Sequence, residues 1–428
     1  MRRVSNHAEP LGDNRAGSTL PTFSTPQLPA AFRRLVWSNL AAQSAEQIAL
    51  AASPIIAVLA FGADEGRAGL LQVAQTLPFV LFAIPIGLVA DRVSRPRLMA
   101  GAEALRAMSL LAIIALALGG WLNLPLLALL GFVGACGTVG YSVAAPALVP
   151  ALVRPEHLPV ANGRIELART IAFTAGPALG GALVGWAGAS IAFGCAAALS
   201  FAGVALLVGI REPARPAVPR RHPLRDIAEG ARFVFTHPLL RPVFVTQIVF
   251  NTAFFVLLAV YVPYAVRHLG LSATGIGFTL AAFGAGMIAG ALLSARLVHR
   301  MRFGTVLGLG PVAGFIAAIV LAATIWLPWP WLAASGWFLL GIGPVQWTIS
   351  TTTLRQLVTP QSLLGRVSAI NITSYGARPL GAAIGAGVGA LAGAEASLLL
   401  AAALFLAQAV MVLVSPLVQL DERPAMAG

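Results

Sequence analysis

The sequence predicts an all-α integral membrane protein: twelve transmembrane helices arranged as two pseudo-symmetric six-helix bundles, with both termini cytoplasmic. Three observations carry that expectation. Of the 428 residues, 58% are apolar and only 10% charged, against roughly 25% charged in a soluble globular chain. Nearly uncharged stretches of about 20 residues, enough to cross a hydrocarbon core, recur along the whole chain. Arginine is concentrated in alternate loops between those stretches, as the positive-inside rule requires.

In order, the predicted spans fall at about 35–60, 69–90, 98–118, 124–150, 163–187, 189–209, 241–265, 273–297, 303–325, 330–353, 366–391 and 396–418. Only the turn "GWAGAS" divides the fifth from the sixth. The even loops hold Arg92, Arg95, Arg97, Arg154, Arg211, Arg215, Arg220, Arg221, Arg225, Arg232, Arg296, Arg300, Arg302, Arg355 and Arg366. The odd loops hold Arg67 and Arg267, so the even loops and both termini are assigned to the cytoplasm. Residues 1–31 read as a disordered cytoplasmic tail without the apolar core of a secretory signal. The N-terminal bundle takes 32–210, a cytoplasmic central loop 211–240, the C-terminal bundle 241–418 and a cytoplasmic tail 419–428.

Several chemistries are excluded by residues the chain lacks. All 28 basic residues are Arg, so neither a Walker A lysine nor a Schiff-base lysine is available. The six His fall in tails, loops or span ends, which argues against haem held in the bilayer. Cys136 and Cys195 lie inside spans and read as packing residues. No nucleophile or metal constellation appears, and neither an enzyme nor a cofactor is expected. The net charge of +13 is a topology signal. It lacks the aromatic interleaving of a nucleic-acid surface.

The two blocks of six spans look like copies. "LVRPEHL" at 152–158 and "LVTPQSL" at 357–363 agree in four of seven positions at an offset of 205. Gly87 of "IGLVADR" matches Gly290 of "AGALLSAR" at offset 203, and Asn39 and Gln43 face Gln247 and Asn251 at offset 208. A parallel repeat about an axis along the membrane normal places a substrate site at mid-bilayer between the halves.

The stretch Gly87-x-x-x-Asp91-Arg92-x-x-Arg95-x-Arg97 resembles the motif between helices two and three of the major facilitator superfamily. There Gly87 allows a close helix approach, and Asp91 can meet a helix N-terminus. The resemblance implies that Gly87, Asp91, Arg92 and Arg95 latch the cytoplasmic side when the carrier faces outward. "GPALGG", Gly176–Gly181, is similar to the superfamily's antiporter motif, although its upstream Gly is Ala172 here. In it Gly176, Gly180 and Gly181 offer a flat packing face and Pro177 a bend. With "LPFVLFAIPIGLVADR", "ALVPALVRPEHLPVAN", "TTLRQLVTPQSLLGRVSA" and "GARPLGA", the chain from about 32 to 418 resembles the bacterial exporter branch that holds enterobactin and macrolide efflux proteins.

Among the fifteen acids, Glu46 stands about 16 Å along helix one. An ionised carboxylate there costs at least roughly 2.5–3.5 kcal/mol, so it must be protonated, paired or facing a wet cavity. It is the expected proton carrier, with Arg169 as the coupling partner. Arg169 follows Glu166, and Arg106 follows Glu103, by three residues, so each pair can also neutralise itself on one helix face. Arg378 lies deep in helix eleven with no acid in the spans of its own half, which points to an acid across the cleft or to an anionic substrate. In this fold helices one, four, seven and ten line the cavity. The resemblance therefore places Asn39, Gln43, Gln47, Tyr141, Gln247, Asn251, Gln346 and Trp347 there with Arg378.

Together these residues imply a monomeric transporter in the bacterial cytoplasmic (inner) membrane. Its expected partners are a small-molecule substrate, protons and membrane lipid, with no nucleic acid. Its expected work is export of a small amphipathic drug, macrolide or siderophore-like molecule by proton antiport. An importer or facilitator of a small metabolite on the same fold is the alternative.

Overall fold

The computed structural model describes residues 28–154, 157–213, 223–360 and 363–421. The tails 1–27 and 422–428, together with Arg215, Arg220 and Arg221, lie outside the described residues, as do the side chains of Asp91 and Arg225. Among the described residues there is no strand.

The first half comprises α1 (Ala30–Leu59), α2 (Glu65–Arg92), α3 (Arg95–Leu118), α4 (Leu124–Leu152), α5 (Leu158–Ala187) and α6 (Ala189–Val208). A short α7 (Pro223–Thr236) precedes the second half: α8 (Leu240–Arg267), α9 (Ala273–Arg300), α10 (Phe303–Ala323), α11 (Pro330–Val358), α12 (Leu364–Thr373) and α13 (Ala377–Leu413). Ten helices are long and apolar enough to cross a membrane, with Ser374–Leu413 taken as one of them. The starts follow local chemistry. The Asp64, Asn123 and Ser272 side chains accept the backbone N–H of Arg67, Leu126 and Gly275 at 2.8, 3.0 and 3.2 Å, satisfying donors a helix start leaves free.

Two expectations need correction. The segment 211–240 is not all loop, because α7 alternates Ile227, Ala231 and Val234 with charged positions at helical spacing. Its apolar face packs on Phe244, Val367 and Ile370. The eleventh span is also not continuous. A 3₁₀ turn, Ser374–Gly376, separates α12 from α13.

The repeat is visible in the backbone. Gly188, between α5 and α6, has φ 85° and ψ 167°, and Gly393, 205 residues later, breaks α13 with φ 85° and ψ 166°. Gly62 after α1 and Gly270 after α8 have φ 61° and 63° at an offset of 208. Only glycine reaches such dihedrals without strain. Packing repeats as well. In the first half α1 packs on α5 and α6, α2 on α4, and α3 on α4 and α6; in the second, α8 packs on α13, α9 on α11, and α10 on α11 and α13.

The halves meet through α5 against α9 and α2 against α13, and both contacts use small residues. A Cβ on Gly181 would lie 2.5 Å from the Ala273 carbonyl oxygen, and a Cβ on Gly66 3.0 Å from the Ala390 Cβ. These crossings lie towards the end where the loops carry only Arg67 and Arg267, the Arg-poor end. There Arg267 donates to Glu65 Oε1 at 2.9 Å and to the Ala63 carbonyl at 2.7 Å, tying α8 to the start of α2.

Gly181→Val would force α5 and α9 apart at this crossing. It is expected to cost about 1–3 kcal/mol, read as a lower thermal unfolding midpoint in detergent. Gly163→Ala, with open space around its Cβ, is the control that keeps wild-type stability.

Candidate functional site: a charged cavity between the halves

Between the halves lies a cavity of about 1070 Å³. Its walls come from α1, α2, α3, α4 and α5 on one side and α8, α9, α10, α11 and α13 on the other. Lining residues Asn162, Glu166, Thr348 and Ile349 near the Arg-rich loops are exposed, whereas Ser53 and Val262 at the far end are buried. The cavity therefore opens towards the Arg-rich end and is closed at the Arg-poor end.

Glu46 faces the cavity from α1, with its carboxylate 4.0 Å from Arg106 of α3. Arg106 is otherwise engaged. It donates to both oxygens of the fully buried Glu103 at 2.8 and 3.0 Å, to the Ala42 carbonyl at 3.0 Å and to Thr138 Oγ1 at 2.7 Å. Glu103 already supplies the charge that Arg106 needs, so Glu46 is the surplus acid of this group. The expected pairing of Glu46 with Arg169 is not what the structure holds. Arg169 binds Glu166 one turn earlier on α5 and stacks on Phe173 at 5.4 Å. Two oppositely charged side chains at i,i+3 on one helix face reach each other first.

Arg378 reaches the cavity because helix eleven is broken beside it at Ser374–Gly376. Its Nε donates to Asn251 Oδ1 at 3.1 Å, and its guanidinium lies 5.3, 5.5 and 3.9 Å from the ring centres of Phe79, Phe255 and Tyr375.

Of the other residues expected to line the cavity, Gln47, Gln247, Asn251 and Trp347 do so. Four do not in this conformation. Asn39 Nδ2 donates to the Ile165 carbonyl at 3.3 Å, and Tyr141, fully buried, bonds Ser38 at 2.9 Å. Gln346 turns along α11 to Ser350 at 3.2 Å, and Gln43 is half-buried away from the wall. Asn39 and Tyr141 thus bond neighbouring helices of their own bundle, a use polar side chains commonly find in membranes. Sequence reasoning missed the rings of the second half's wall: Phe250, Phe254, Phe283 and Trp337. The spacing of Phe250 and Phe254 around Asn251 was the available signal, since i and i+4 share a face.

At the Arg-rich end Gly87 is not tightly packed. Its Cβ would meet only Val143, at 3.9 Å, because that end is splayed open. Its repeat mate Gly290 does sit in a close crossing, 2.7 Å from the Ile342 carbonyl oxygen. Arg95 is held within its own half by Glu212, 3.3 Å from Oε1, and by the Ala147 carbonyl at 2.8 Å. Arg92 is exposed. In the GPALGG stretch Gly176 packs against Gln47, Gly180 against Ile48 and Gly181 against α9, while Pro177 lines the cavity.

This architecture, two packed helical halves around a central charged cavity open at one end, is that of a multi-pass membrane transporter and not of an enzyme. Residues 24–427 match the family described as transmembrane secretion effectors, and the chain belongs to that family. Enterobactin exporters of Escherichia coli O1:K1 and of Shigella boydii serotype 18 are 30% identical over 251 residues. That alignment covers 57% of this chain, which spans 58% of those relatives' length. Solved transporters share the major facilitator fold. The nucleoside transporter NupG superposes with a TM-score of 0.70 at 13% identity, over 90% of this chain and 98% of its own. A bacterial homologue of the lysosomal transporter Spinster, inward-facing and unoccupied, gives 0.68 at 17%, over 92% and 98%.

Arg106→Gln strips the buried Glu103 of its cation and is expected to cost about 3–5 kcal/mol. Adding Glu103→Gln should restore most of that loss in thermal unfolding. A double variant as unstable as the single one would show that the pair is not the origin of the cost.

Proposed function

We propose that the chain exports a small amphipathic molecule from the cytoplasm in exchange for protons, by alternating access, in a bacterial cytoplasmic (inner) membrane. The observation that carries this reading is the cavity at the interface of the halves, closed at one end and lined at mid-depth by the surplus carboxylate Glu46. Counting α11 as a span, and dividing Ser374–Leu413 at Gly393, raises the ten apolar helices to twelve. Arginine distribution then puts both termini and the open mouth in the cytoplasm, the state in which an exporter loads. Family membership and the export named for the enterobactin relatives support direction.

Glu46 is the proposed proton carrier. A carboxylate that is protonated when exposed to one side and ionised on the other couples the proton gradient to the cycle, and Arg106 is the partner at hand. Gly87, Asp91, Arg92 and Arg95 are proposed to close the cytoplasmic mouth in the outward-facing state. In this conformation Gly87 is loosely packed and Arg95 is held by Glu212. Drug, macrolide and siderophore-like solutes all fit a wall of amides and rings.

The test is efflux of preloaded fluorescent amphipathic dyes from cells, with and without a protonophore. Protonophore-sensitive efflux by the wild type, lost in Glu46→Gln, is the expected result. Efflux that is unchanged in Glu46→Gln would remove Glu46 from coupling, and net accumulation would reverse the direction in favour of import.

A further inference from the structure

The second half's wall carries a charge without a carboxylate partner, and a run of rings leads away from it. Among the described residues no carboxylate oxygen lies within 4 Å of Arg378, whereas Arg106 has Glu103 and Arg169 has Glu166. Aromatic faces and one amide stabilise a cation but leave its outer N–H groups without an anion. Asn251 is itself fixed, since its Nδ2 donates to the Gln247 carbonyl at 2.9 Å, which turns Oδ1 to Arg378. With Nε so held, the two terminal nitrogens are what the guanidinium can still offer. Next to it, Phe255 contacts Phe254 at 5.6 Å between ring centres, and Phe254 contacts Phe283 and Trp337 at 5.5 and 6.1 Å.

We propose that Arg378 is the recognition point for an anionic group on the transported molecule, and that the molecule carries an aromatic body seated on Phe254 and Phe283, which Trp337 backs from the core. This rests on reading the cavity as the solute path and adds the substrate class, an aromatic organic anion. A guanidinium whose plane is fixed matches a carboxylate with two parallel hydrogen bonds. Rings of a solute gain from offset or edge contacts with a pre-formed aromatic wall. Asn251 acts as a positioning residue, because it touches Arg378 rather than the anion.

The test uses the full-length protein in lipid nanodiscs and three probes that share one body: 2-naphthoate, 2-naphthamide and 2-naphthylmethylammonium. Equilibrium dialysis of the wild type should show the carboxylate binding about tenfold or more tighter than the amide, the range expected for a charge-assisted hydrogen bond. Arg378→Gln should erase that preference while still binding the amide, which also shows the variant to be folded. Asn251→Ala should reduce the preference for the carboxylate over the amide. Equal binding of carboxylate and amide by the wild type, tighter binding of the ammonium, no binding of any probe, or a preference that survives Arg378→Gln would each overturn the proposal. Efflux of preloaded naphthoate is read separately. Binding preference without efflux would sink the export reading and leave the anion site standing.

Discussion

A charge brought to the middle of a bilayer has to be matched there, because water cannot do it. In this protein the matching is done by Arg106. Its guanidinium joins the Ala42 carbonyl on α1, Glu103 on its own helix and Thr138 on α4, so one residue fixes three helices of the first half in mutual register. Removing either member of such a pair leaves the other buried and uncompensated, which is why the group holds together as a unit. Once Glu103 has satisfied Arg106, Glu46 is left as an acid with a partner in reach but none to itself, on the wall of a cavity. A second acid beside a neutralised pair is a group that can change its proton occupancy without unfolding its surroundings.

The closed end depends on a different constraint. Helices in lipid gain little from hiding apolar surface, so they associate through close approach at small residues. Gly181 meets Gly277 across the α5–α9 crossing, and its repeat mates Ala386 and Gly69 meet across the α13–α2 crossing. The two interfaces between the halves are thus copies of one contact. A contact of this kind gives good packing without interlocking bulky side chains, which suits a surface that has to part and re-form in a transport cycle. Arg267 adds a bond from the end of α8 to Glu65 and Ala63 that can be made and broken at modest cost near the surface.

Much of the architecture was legible in the sequence, since apolar runs, Arg asymmetry and repeat offsets are strong signals in a chain that must satisfy its backbone inside lipid. The break at Ser374–Gly376 was not, because nothing in "NITSYGARP" stops a helix outright and its Pro379 lies beyond the break. In the site, Glu46 and Arg378 stood out because an isolated charge in an apolar run has no bland solvent-facing explanation. Amides did not behave so simply. Gln247 and Asn251 reach the cavity while their counterparts Asn39 and Gln43 do not, and sequence spacing cannot tell which face of a helix looks inward when several faces are buried. Arg106 was read only with Glu103, since the approach of α1 to α3 is a tertiary fact.

The repeat also shows how the two halves came to do different work. At the offset of 208 that pairs Asn39 with Gln247, and Gly62 with Gly270, Glu46 corresponds to Phe254. At the offset of 205 that pairs Gly188 with Gly393, Phe173 corresponds to Arg378. Both pairs line the cavity. Two symmetry-related positions therefore hold an acid and a ring in the first half, and a ring and a base in the second. A symmetric wall would place like charges opposite one another, and their repulsion in a low-dielectric space would be severe. The observed arrangement keeps the acid and the base on opposite halves, the base among the rings of Phe79, Phe255 and Tyr375. Any motion that rocks one half against the other then changes the distance between Glu46 and Arg378, and with it the electrostatic cost of ionising the acid. The proposed proton coupling would act through that distance.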